Sequence, residues 1–166
     1  MTLSGLLLAA EHTSLAAAMR GERGGEWLFP IVETLHVISL AMVFGSIAML
    51  DLRLVGTASR DSAVSRLSRE VLPYTWGAFI CAILTGTLLF VSKAHVYFYN
   101  LQFQLKFLCM FLAGVNMAVF HFGIYRHVLE WDERHPPPRA ARLAGALSIV
   151  LWMGVIFFGR WIGFTT

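Results

Sequence analysis

The chain has 166 residues, of which 57% are hydrophobic and only 14% charged, where soluble domains carry about 25% charged residues. With a mean hydropathy of +0.66, this composition excludes an ordinary soluble domain and leaves length for one membrane bundle, not two sizeable domains. The net charge of +3 comes from basic residues set in short connections between apolar runs, which excludes a nucleic-acid footprint and reads as a topology signal.

The N-terminal segment, residues 1–26, opens with Leu6-Leu7-Leu8-Ala9-Ala10. No Lys or Arg precedes this patch, and Glu11 and His12 interrupt it, so it is expected to be retained and not cleaved as a signal peptide. Thr13 to Arg20 should form a short amphipathic helix at the membrane interface, with Leu15, Ala16 and Met19 inward and Gly21 to Gly25 as a hinge.

The first span is expected at about residues 28–50, entered through the interfacial aromatics Trp27 and Phe29 and opened by Pro30. Its charge-free run from Thr34 to Leu50 holds one ionisable residue, His36, and closes on Asp51-Leu52-Arg53. Glu33, His36, Leu40, Val43, Ile47 and Asp51 recur at spacings of three and four, so they share a helical stripe. The basic connection from Thr57 to Glu70 should carry a brief surface helix marked by Val64, Leu67 and Val71. A second span follows at 71–92, where Ala78, Ala82 and Gly86 form a seam on which a neighbouring helix can approach closely.

Lys93 to Asn100 reads as an aromatic interfacial turn carrying His95. The third span, about 103–125, has Lys106 near its start, Asn116 in its middle and His121 near its end. Met110, Gly114, Met117 and His121 share one stripe there, with Asn116 turned away, and Gly114 with Ala118 offers a second small-residue pair. Arg126 to Arg142, with Pro136-Pro137-Pro138, is expected to be a loop. The fourth span should run over 143–163, with Arg160 close to its far end. Cys81 and Cys109 lie inside apolar runs and read as small buried hydrophobes.

The expected fold is therefore all-α: an integral membrane four-helix bundle, residues 1–166 as a single domain, with an amphipathic N-terminal helix. Arg53, Arg60, Arg66, Arg69, Arg126, Arg134, Arg139 and Arg142 lie in two connections, against Arg20, Arg23, Lys93, Lys106 and Arg160 elsewhere. The arginine-rich connections are accordingly expected in the cytoplasm and both termini outside.

An ionisable side chain at membrane depth is a functional-site hypothesis by default. His36 lies about 12 Å inside the first span, in the same half as Glu33, Lys106, Arg160 and the turn residue His95. His121 falls in the opposite half, about 12 Å away along the membrane normal, which disfavours His36 and His121 as joint axial ligands of one haem. Glu33, His36, His95, Lys106, His121 and Arg160 are the candidate cofactor-binding residues, with His36 the candidate metal ligand and haem b or quinone the candidate cofactor. The plainer alternative for His36 is a hydrogen bond that fixes helix packing, for instance through Ser39; for His121 and Arg160 it is snorkelling to the interface.

Several sequence features together resemble a family of small bacterial inner-membrane proteins of unknown function. They are Trp27-Leu28-Phe29-Pro30 with Glu33-Thr34-Leu35-His36, Gly45-Ser46-Ile47, Asp51-Leu52-Arg53-Leu54, Leu105-Lys106, Asn116 with Phe120-His121, and Gly159-Arg160. The resemblance implies four membrane helices, a surface N-terminal helix and no transferable activity. A looser similarity, to membrane b-type cytochromes and copper-resistance membrane proteins, rests on histidines in a small bundle. The resulting expectation is a membrane subunit or anchor serving electron transfer, partnered by the bilayer and other membrane or periplasmic subunits and not by nucleic acid. Its alternative is a non-catalytic structural or assembly subunit of a larger complex.

Overall fold

A computed structural model describes residues 2–22, 24–58, 63–132 and 136–165, and for Glu130 the backbone alone. Arg23, Arg60 and Arg134, which entered the reading of the connections, lie outside the described residues. Eight α-helices are present among those described: α1 (Leu3–Glu11), α2 (Ser14–Met19), α3 (Leu28–Val55), α4 (Val64–Ser92), α5 (Ala94–Tyr99), α6 (Leu101–Phe122), α7 (Val128–Trp131) and α8 (Arg139–Thr165). A 3-10 turn, Ile124–His127, links α6 to α7.

Four of these segments, starting at Leu28, Val64, Leu101 and Arg139, are long and apolar enough to cross a membrane. At about 1.5 Å per residue each exceeds a hydrocarbon core of about 30 Å. Their outward faces carry large apolar side chains such as Ile38, Phe111, Val119 and Val150, a surface that suits lipid. The protein is thus a multi-pass membrane protein.

Local chemistry sets the helix ends. Asn100 accepts the N–H groups of Gln102 and Phe103 at 2.9 and 3.1 Å and so starts α6, and Thr13 caps α2 by accepting from Ala16 at 3.2 Å. Gly56, at φ +87°, closes α3 in the left-handed conformation that glycine adopts without steric cost. The expected surface helix before the second span is instead continuous with α4, because Val64 and Leu67 are buried where α4 starts and hold its first turns to the protein. The patch at Leu6, expected only as an apolar stretch, is the helix α1, and the aromatic turn is the helix α5. In α2, Ala16 and Met19 face inward as expected, whereas Leu15 is 47% exposed.

The long helices pack in the order α4, α3, α8, α6, with α4 and α6 meeting through side chains, as where Phe90 stacks on Phe103 at 5.4 Å. All four contribute to a central apolar layer of Val43, Ala78, Ala113, Trp152 and Val155. A second cluster, Leu54, Val64, Val128, Trp131 and Ala141, closes the end that bears the arginine-rich connections, here termed the arginine face. The opposite end, the terminal face, gathers α1, α2, α5 and the chain ends. There Arg20 donates to the carbonyls of Glu11 and Ser92 at 3.0 and 3.2 Å, and Glu11 accepts the His95 backbone N–H at 2.7 Å.

Candidate functional site

His36 is held by α4. Its Nδ1 lies 3.0 Å from Thr85 Oγ1, and that hydroxyl donates its single proton to the Cys81 carbonyl at 2.7 Å. With that proton on the Cys81 carbonyl, the Thr85 oxygen is placed to accept from Nδ1–H; the Ala82 carbonyl, 3.3 Å from the same hydroxyl, is a further acceptor for the ring. The ring edge sits on Gly86, where a Cβ would stand 2.9 Å from His36 Cε1. The small-residue seam on α4 thus has a specific use: Ala78 and Ala82 are buried, and Gly86 makes room for the imidazole.

Lys106 enters from α6. Its Cε and Nζ run 3.6 and 3.7 Å from the position a Cβ would take on Gly159 of α8. His36 begins about 12 Å into α3 and Lys106 about 8 Å into α6, so both sit in the terminal half of the bundle. Glu33, on the same stripe of α3 but a turn closer to the terminal face, is exposed. It acts electrostatically on Tyr97 of α5, whose hydroxyl hydrogen-bonds with Ser92. Burial pushes the Tyr97 phenol above its ordinary range. Tyr97 also stacks on Phe103, which in turn packs on Phe107 at 4.7 Å.

The remaining candidates lie elsewhere. Arg160 is exposed, with its guanidinium 5.0 Å from the centre of the Phe164 ring. The His95 ring lies on α5, 5.1 Å from Tyr99. His121 is exposed at the far end of α6 and stacks on Tyr125 at 5.2 Å, in the arginine half. On α6 the face turned inward carries buried Ala113 and half-buried Lys106, Met110, Asn116 and Phe120, whereas Gly114, Met117 and His121, which share a stripe with Met110, face outward. Asn116 donates from Nδ2 to the Ala144 carbonyl of α8 at 2.9 Å, which accounts for that stripe turning inward. Among the described residues no group of three or more His, Cys, Asp or Glu could hold a metal ion.

A family model described as a family of unknown function, DUF6644, matches residues 10–165. The chain belongs to this family. Among curated proteins and among solved structures nothing matches. Membership of DUF6644 agrees with the resemblance read from the sequence, and it brings no link to b-type cytochromes or copper-resistance proteins.

Chemically, the terminal-half site of this DUF6644 chain offers an imidazole nitrogen that accepts and an ammonium that donates, both set in an apolar bundle. Sequence reasoning singled out His36 and Lys106 because each interrupts an apolar run. It missed Thr85, whose hydroxyl looks like any other that bonds back to the i−4 carbonyl. The signal that could have found it was Gly86, next to Thr85 on the seam.

Proposed function

We propose that the protein is a membrane subunit serving electron transfer, and that His36 and Lys106 bind a quinone head group in the terminal half of the bundle. The observation that carries this reading is the Thr85 tether, the 3.0 Å contact of His36 Nδ1 with Thr85 Oγ1, which supports an Nδ1–H tautomer with Nε2 left to accept. A quinol hydroxyl would donate to Nε2, and a quinone carbonyl would accept from Lys106. Glu33 and Tyr97 lie on the side toward the terminal face, where a proton can leave to water.

The same tether also favours a second reading, haem b on Nε2, because histidine ligands are commonly oriented by a bond from the other ring nitrogen. Quinone ranks above it, since His95 and His121, which would have to complete a bis-histidine pair, stand against Tyr99 and Tyr125 instead. In either case the electron partner would be another membrane or periplasmic subunit. The distribution of arginine supports a bacterial inner-membrane protein with the arginine face in the cytoplasm and both termini outside.

The test is to purify the protein from native membranes, extract its quinone and record visible spectra oxidised and reduced. Quinone that accompanies the wild type and is lost in His36→Gln and Lys106→Met supports the proposal. A reduced haem spectrum would favour the second reading. The absence of both, with a stoichiometric partner protein, would favour the structural-subunit alternative.

A further inference from the structure

Asp51 ends the stripe that begins at Glu33, yet it has no part in the His36 site. It lies about one turn from the C-terminus of α3, where the helix dipole places partial negative charge, and it is only 6% exposed. At Gly145 a Cβ would stand 3.0 Å from the Asp51 carbonyl oxygen and 3.1 Å from Leu54 Cβ, so α8 closes directly over this turn. One turn further along α8, the Ser148 hydroxyl donates to the Asp51 carboxyl. The other carboxyl oxygen, Oδ2, is buried without a hydrogen-bond partner among the described residues.

Among the described residues of α3, α4 and α8 and at Asp132, the charged groups are engaged or turned away. Arg53, itself 5% exposed, donates from Nη2 to the Asp132 backbone carbonyl at 3.3 Å. The Asp132 carboxylate accepts the Ser65 N–H at 3.2 Å, at the start of α4. Arg66, Arg69 and Glu70 on α4 and Arg139 and Arg142 on α8 are exposed. Among the described residues an ionised Asp51 would thus keep an unpaired charged oxygen inside the protein at the negative end of a helix, an arrangement that is strongly unfavourable in general. A metal ion such as Ca²⁺ needs about six or more oxygen ligands, whereas the described neighbours supply one side-chain hydroxyl beside the carboxyl itself. A proton needs no such shell.

We propose that Asp51 is a proton-binding site, an acid that holds its proton at the α3–α8 crossing and exchanges it with the arginine face. The apolar layer around Val43 separates it from His36, so the site stands independently of the quinone reading.

The test is infrared spectroscopy of the full chain in liposomes as a function of pH. Near neutral pH the wild type should show the carbonyl stretch of a protonated carboxylic acid, shifted in D₂O and lost on alkalinisation. Asp51→Asn should lack the band, and Ser148→Ala, by removing the hydrogen bond, should move it to higher frequency. The Ser148 variant keeps the assignment testable if Asp51→Asn does not assemble. A wild type without the band, a band unmoved by both substitutions, or a band removed by sodium at constant pH would overturn the proposal.

Discussion

In the proposed site one threonine hydroxyl selects which nitrogen of His36 accepts from a ligand, and the consequence can be measured at that residue. Thr85→Val keeps the side-chain shape but leaves Nδ1–H without its acceptor, a loss of about 1 to 3 kcal/mol for a buried donor. Because His36 is only half-buried, the lower part of that range is expected, read as a fall in thermal midpoint together with weaker quinone retention. Gly86→Ala places a methyl 2.9 Å from His36 Cε1 and should cost about 1 to 3 kcal/mol through overpacking, with a larger loss of ligand than of fold. A stability curve and a quinone assay on the same preparation separate the two effects. The histidine and the lysine were legible in the sequence because each breaks an apolar run. Asp51 was legible as the last member of the first span's stripe and Arg53 as a charge closing it, but their burial was not, since it depends on Gly145, nearly a hundred residues away, and on the segment around Asp132.

At the scale of elements, the four long helices could be read from hydropathy, while their ends and faces could not be read as well. The first span kept its predicted stripe because packing on both α4 and α8 buries that face, from half-buried His36 through Val43 to Asp51. On α6 the stripe of Met110, Gly114, Met117 and His121 is not the packed one, because a polar contact, Asn116 to the Ala144 carbonyl, and close packing of Cys109 on Gly154 turn another face toward α8. Asn116→Leu should therefore weaken the α6–α8 pair by about 0.6 kcal/mol, and by no more than about 1.7, measured by unfolding in mixed micelles. A much larger loss would mean that Asn116 does more than join two helices. On α5 the phenol of Tyr97 is favoured in its neutral form by burial. Its folded value lies above the unfolded one, so its contribution is complete below about pH 10 and declines as pH rises beyond that. The thermal midpoint should drop over that alkaline range in the wild type, and Tyr97→Phe should flatten the drop.

For the whole molecule, two polar sites occupy opposite halves of one bundle and an apolar layer from all four helices divides them. The arrangement suits a subunit that handles a ligand near one face and a proton near the other, without an open polar path between. Orientation ties the halves to compartments: a C-terminal reporter active only in the cytoplasm should be silent, and activity would invert the assignment. The central claim, that Nε2 of His36 is the nitrogen available to a quinol, is tested most directly by solid-state NMR of ¹⁵N-histidine-labelled protein in lipid. The expected result is a His36 ring protonated at Nδ1 and bare at Nε2, with the Nε2 resonance moving when a quinol is added. A ring protonated at Nε2, or a resonance indifferent to quinol, would contradict the claim.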